Sequence, residues 1–265
     1  SGLACARAVE EGWLEPGATA ADTLTEWRPD PVKRRITVRM LLQMTAGLED
    51  GGSALYRRGI ADKGRMALSA RVIDPPGTGF RYGPACWEVL GELVHRKATA
   101  RGESLEGLIQ RAVTRPLRLS ADNWRRDRQG RFYLSTGAEL NIMELGRLGW
   151  AIGRLATGHS VAGISPGAFR KVTRSSQANP MFGGGIWSNS GAPRGREIEV
   201  EEVLDPPRGP GFWQSACLSR RQPSSMLALI GSAGQRVYIW PSDSRVVARL
   251  GYSSSWRDVP LLRVL

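Results

Sequence analysis

The run Pro76-Gly77-Thr78-Gly79-Phe80-Arg81-Tyr82-Gly83-Pro84 places a phenol between a Pro-Gly turn and a helix opened by proline. Proline is well suited to the first helical position, so the spacing predicts Tyr82 at an extended-to-helix corner. A phenol titrates near 10 and takes a proton near neutrality only where nearby cations favour phenolate. Packing at the corner is the blander use of the same residue. A second run, Gly231-Ser232-Ala233-Gly234-Gln235, leads into the apolar stretch Val237-Tyr238-Ile239-Trp240. Gly234 would let another group approach the strand closely, and Ser232 offers a hydroxyl. Lys33, Lys63, Lys97 and Lys171 are preceded at the third position by Asp30, Ile60, Val94 and Ala168, so the chain holds no Ser-x-x-Lys pair. Cys5, Cys86 and Cys217 lack metal-ligand spacing, and His95 and His159 are isolated; no metal or cofactor is expected.

The elements that must position these residues are helical first and stranded last. Ser1 to Glu11 reads as the end of a helix stopped at Gly12. Thr37 caps a helix carrying Val38, Leu41 and Leu42, ended by Gly47. Pro84 opens a helix with an apolar stripe through Cys86, Val89, Leu90, Leu93 and Val94. Ser104 caps the next, and Asn141 with Glu144 forms a capping box for a helix to Gly158. The polar stretch from Asp122 to Leu134 has a hairpin turn at Gly130. Gly195 to Pro210, charged and proline-bearing, reads as a surface loop. Met226–Ile230, Gln235–Trp240 and Arg245–Leu250 read as strands, the last two joined by a turn at Pro241 to Ser244, and Trp256–Leu265 as a closing helix. This order is an α+β pattern. The chain reads as a single domain over 1–265, with a mostly helical part at 36–158 and C-terminal antiparallel strands and closing helix at 180–265. Trp187, Trp213 and Trp240 are expected to pack in the core or against the sheet.

The net charge is +12, and 33 of the 37 basic residues are arginines. Such a balance suits nucleic acid, but the arginines are spread along the chain in runs of two or three and no nucleic-acid motif accompanies them. An arginine-biased surface is the preferred reading, with no nucleic-acid partner. No stretch of about 18 apolar residues is present, so no transmembrane segment is expected in this chain. The chain opens on Ser1 inside a helical pattern, which leaves both secreted and cytoplasmic locations open.

Four segments together resemble the β-lactamase-like serine hydrolases, a superfamily of class C β-lactamases, D-Ala-D-Ala carboxypeptidases and esterases. Val9-Glu10-Glu11-Gly12 is similar to the family's "VEEG", and Ile36-Thr37-Val38-Arg39-Met40-Leu41-Leu42-Gln43-Met44-Thr45-Ala46-Gly47-Leu48 to "ITVRHLLTHTSGL". Pro76 to Leu93 is similar to "PGTRFSYSNAGYGLLGEII", and Gly231 to Pro241 to "GHGGQ…YVDP". The resemblance runs in order over nearly the whole chain. It implies the β-lactamase/transpeptidase-like fold and acyl transfer through a serine in a Ser-x-x-Lys motif. Counted from Val9, that serine would fall about five residues ahead of Ser1, and two family strands would precede it; the chain is expected to begin just past the catalytic motif. The resemblance implies that Tyr82 helps move the proton and that the backbone N–H of Gln235 is one oxyanion donor. It also implies that Ser232, Ala233 and Gly234 bind substrate. Pro84 stands where the family's Tyr-x-Asn has asparagine, and Ser232 where it has lysine or histidine, so small esters or amides are expected over β-lactams. By itself the chain is expected to form no acyl-enzyme. The alternative is a non-catalytic binding protein on the same scaffold.

Overall fold

A computed structural model of the chain describes residues 1–120 and 124–265. Helix α1 (Gly2–Glu10) buries Leu3, Cys5 and Ala6 and yields to Gly12 at φ 70°. Helix α2 (Val38–Leu42) begins where Thr37 accepts a hydrogen bond from the Met40 N–H. It ends at Leu42, not at Gly47 as expected, because Met44 already adopts a positive φ of 54°. Gly47 instead permits a close approach. A Cβ there would lie 2.0 Å from the Asp74 carbonyl oxygen, so only glycine lets the two segments touch. Two short helices follow, α3 (Gly52–Leu55) and α4 (Lys63–Leu68).

Pro84 occupies the first turn of α5 (Pro84–Thr99), whose Val89, Leu90, Leu93 and Val94 are buried as the stripe predicts. Ser104 caps α6 (Leu105–Ile109) through the Gly107 N–H. The turn at Gly130 forms, bridged by Arg126 and Phe132, while Asp122 lies outside the described residues. Helix α7 (Ile142–Ala156) carries the complete capping box of Asn141 and Glu144. Helix α8 (Pro166–Thr173) packs on α1.

The last third supplies the sheet. Strands β1 (Phe182–Gly183) and β2 (Ile186–Ser188) form a hairpin through Gly184 and Gly185, both at positive φ. The segment expected as a surface loop instead contains β3 (Arg196–Glu197) and helix α9 (Val200–Val203). It is pinned because Ile198 and Val200 are buried among its charges, an apolar spacing too brief to outweigh the surrounding charge in the sequence. Helix α10 (Pro210–Gln214) leads to β4 (Ala216–Cys217), which pairs with β3 in parallel. Then β5 (Leu227–Gly231), β6 (Gln235–Trp240) and β7 (Arg245–Arg249) run antiparallel, and α11 (Asp258–Leu262) closes the chain. The main sheet has the order β1-β2-β5-β6-β7. Helix α7 lies on β6 and β7; a Cβ on Gly149 would meet Val237 and Val246 methyls at 2.7 Å, so glycine sets the helix-to-sheet distance. Trp187, Trp213 and Trp240 are buried, and the first two join Phe80 and Phe182 in an aromatic cluster under the Tyr82 corner. The fold is the α+β arrangement expected, an antiparallel sheet flanked by helices.

Candidate active site

Tyr82 is held by its neighbours on both sides. The Arg81 N–H donates to the Met44 carbonyl at 2.9 Å, and the Ala85 N–H to the Asp50 carbonyl at 3.0 Å. Between them, Gly83 passes so close to Asp50 that a Cβ would lie 2.4 Å from the aspartate's own Cβ. The half-buried Tyr82 ring packs against Phe182 and Trp187 at centroid distances of 5.9 and 6.2 Å. Burial pushes its pKa up to about 12; Tyr56 and Glu201 add to the rise and Arg236 opposes it. Tyr82 therefore carries its proton at neutral pH.

One cleft of about 900 Å³ is walled by Tyr82, Tyr56, Ser1, Ser135, Ser232 and Gln235. Two segments separated by about 150 residues thus meet across a single space, with the chain's first residue beside them. The Ser1 hydroxyl donates to the Leu134 carbonyl at 2.5 Å and fixes that side of the wall.

Ser232, Ala233 and Gly234 form the tight turn between β5 and β6, where Gly231 pairs with Gln235. Ser232 and Gln235 are exposed to the cleft, whereas Ala233 and Gly234 do not line it. Their backbone N–H groups are committed elsewhere: Ala233 donates to Glu201 Oε1 at 2.9 Å and Gly234 to Glu201 Oε2 at 3.2 Å. Gly234 has φ 79°, and a Cβ on it would meet Arg249 Nη1 and Trp256 Cβ at 2.8 Å. The glycine is thus needed for the turn and for its neighbours on the far side.

Glu201 comes from α9, the segment read as a surface loop, and its charge gives no hint of this role in the sequence. Its Oε2 also accepts from the buried Arg236 Nη2 at 2.5 Å, and Arg236 Nε donates to Asp258 Oδ1 at 2.7 Å. The turn carrying Ser232 is therefore tied through one buried guanidinium to α11. A second assembly is equally silent in the sequence. Lys63, Glu88 and Ser135, from three separate elements, meet behind the cleft wall. The one available sign is a lysine in a chain that otherwise uses arginine for 33 of 37 basic positions.

The beta-lactamase family model matches residues 1–188 of this chain. Among solved structures, a penicillin-binding protein homologue from Caulobacter crescentus is similar over 95% of this chain and 74% of its own, with 18% identity and a TM-score of 0.61. A family VIII carboxylesterase is similar over 97% of this chain and 76% of its own, with 16% identity and a TM-score of 0.64. A β-lactamase from Mycobacterium bovis is similar over 95% and 75%, with 17% identity and a TM-score of 0.56. At such identities the likeness speaks for the fold. No curated protein matches the chain.

Proposed function

The chain belongs to the beta-lactamase family, and from that premise we propose that it serves a serine hydrolase acting on small esters or amides through an acyl-enzyme. The observation that carries this reading is the common cleft of Tyr82, Ser232 and Gln235. Tyr82 relays a proton to or from the reacting oxygen. Its pKa of about 12 makes it an acid in the resting state. A cation brought beside it would favour phenolate and let it accept the nucleophile's proton. The backbone N–H of Gln235 is one donor to the oxyanion that forms on the carbonyl oxygen, and such donors act most strongly where charge develops in the transition state. Ser232 touches the substrate, and Ala233 and Gly234, anchored to Glu201, hold that serine in place. Ser232 contributes no positive charge, so neutral acyl compounds suit the site better than β-lactams with their carboxylate.

Residues 1–265 contain no Ser-x-x-Lys. We therefore propose that the nucleophile and its lysine come from outside these residues, and that this chain by itself is inactive. Treatment with a fluorophosphonate ester, followed by intact-mass and peptide analysis, tests the assignment. A chain extended ahead of Ser1 by Ser-x-x-Lys in register gains one phosphonyl group on the added serine; the chain alone gains none. An extended, folded chain that takes up no label would leave the non-catalytic binding reading in its place.

A further inference from the structure

Behind the cleft wall stands a buried ion pair that acyl transfer, as proposed above, does not use. Lys63 opens α4 and Glu88 lies in the second turn of α5; Lys63 Nζ and Glu88 Oε1 are 3.1 Å apart, with the side chains 2% and 4% exposed. Ser135 joins them. Lys63 Nζ donates to Ser135 Oγ at 3.2 Å, and Ser135 Oγ donates to Glu88 Oε1 at 2.5 Å. The Ser135 N–H donates to the same carboxylate oxygen at 2.9 Å and the Leu134 N–H to Oε2 at 3.4 Å, which fixes the serine backbone as well.

A hydroxyl has one proton to give and two lone pairs to offer. Here the proton is held by a buried carboxylate and one lone pair by a buried ammonium. Turning the proton toward the cleft would remove a charge-assisted bond from Glu88, a loss larger than that of a neutral hydrogen bond. Both partners lie behind the wall, so the second lone pair is left on the cleft side of the half-buried serine. Ser135 is thereby a committed acceptor. Tyr82 lines the same cleft and the smaller cavity beside it, about 210 Å³, which Ser135 also lines. The phenol keeps its proton across the neutral range and is a donor. A donor and a fixed acceptor in one cleft complement a group that has both a carbonyl oxygen and an N–H.

We infer that Ser135, fixed by Lys63 and Glu88, is a specificity determinant that selects acyl compounds bearing an N–H or O–H donor, a secondary amide over its matching ester. The inference rests on the reading of this cleft as a site for acyl compounds, but it needs no turnover. Binding of N-benzylacetamide and of benzyl acetate is measured by titration NMR on the chain itself, on Ser135→Ala and on Ser135→Thr, each checked for folding by its thermal transition. The wild type and Ser135→Thr, which keeps the hydroxyl, should bind the amide about five- to tenfold more tightly than the ester, the range of one hydrogen bond. In Ser135→Ala the ratio should fall to about one. Equal affinities in the wild type, an amide preference that survives in Ser135→Ala, or no binding of either probe would overturn the inference. If Ser135→Ala does not fold, the wild-type and Ser135→Thr ratios decide it. Failure of the nucleophile assignment would show in labelling and leave these ratios unchanged.

Discussion

Tyr82 shows how one residue's setting decides its chemistry. Its surroundings favour the neutral phenol, with burial as the first cause and the nearby Tyr56 and Glu201 as lesser ones. A tyrosine in the unfolded chain ionises near 10, while Tyr82 in the folded chain does so at about 12. The unfolded state then sheds its proton first as pH rises. The stabilisation from the neutral phenol is complete below about pH 10 and is lost between about 10 and about 12. A difference titration at the tyrosinate absorption band, wild type minus Tyr82→Phe, should show a midpoint near 12; a midpoint near 10 would mean the phenol is not in this environment. Lys63 offers a second test at this scale. Burial lowers its pKa and Glu88 opposes the shift. Replacing Lys63 with alanine leaves the Glu88 carboxylate buried without its cation, and about 3–5 kcal/mol of stability should be lost in denaturant unfolding. A loss under about 1 kcal/mol would show that the pair is not buried as described.

Among the elements, what could be read in advance is what a short span of chain decides. Thr37, Ser104 and Asn141 each cap a helix through an N–H three residues on, and Pro84 needs only its own ring to open α5. Those contacts are written within one turn of sequence. Removing Asn141 as alanine should cost about 1 kcal/mol, measured by urea unfolding, because the Glu144 N–H loses its side-chain acceptor while the backbone N–H of residue 141 still reaches the Glu144 carboxylate. The fate of Gly195 to Pro210 was not legible in this way. Glu201 reaches Ala233 and Gly234, 32 and 33 residues on, and no local pattern announces that partner. Glu201→Ala should destabilise the chain by about 1–3 kcal/mol, since it strips two backbone donors and one bond to the buried Arg236. It should also perturb the amide signals of Ser232 to Gln235 ahead of those in α5. Unchanged signals in that turn would remove Glu201 from any part in positioning it.

For the whole molecule, the antiparallel C-terminal sheet was legible because β5, β6 and β7 each carry a run of apolar residues with glycine or proline close by, whereas β3, an Arg-Glu pair, shows no such run. The cleft was legible only in part. Tyr82, Ser232 and Gln235 stand out by type and by their turns, but Ser135, Lys63, Glu88 and Glu201 are ordinary residues made significant by a fold that brings distant segments together. Several of the basic groups are likewise paired by the fold across long stretches of chain: Arg111 joins Arg7 at Glu11, and Arg131 pairs with Glu92 and Asp62. Among the described residues ten of the 33 arginines pair with carboxylates, and the excess of basic over acidic groups stays unneutralised. The central claim is that Tyr82 serves acyl chemistry whose nucleophile lies outside these residues. It is tested most directly by p-nitrophenyl acetate turnover in three proteins: this chain, the chain extended by Ser-x-x-Lys in register ahead of Ser1, and the extended chain with Tyr82→Phe. Removing one member of a catalytic group commonly costs several orders of magnitude. Turnover should therefore appear only in the extended chain and fall by orders of magnitude in its Tyr82→Phe variant. Equal rates in all three would contradict the account.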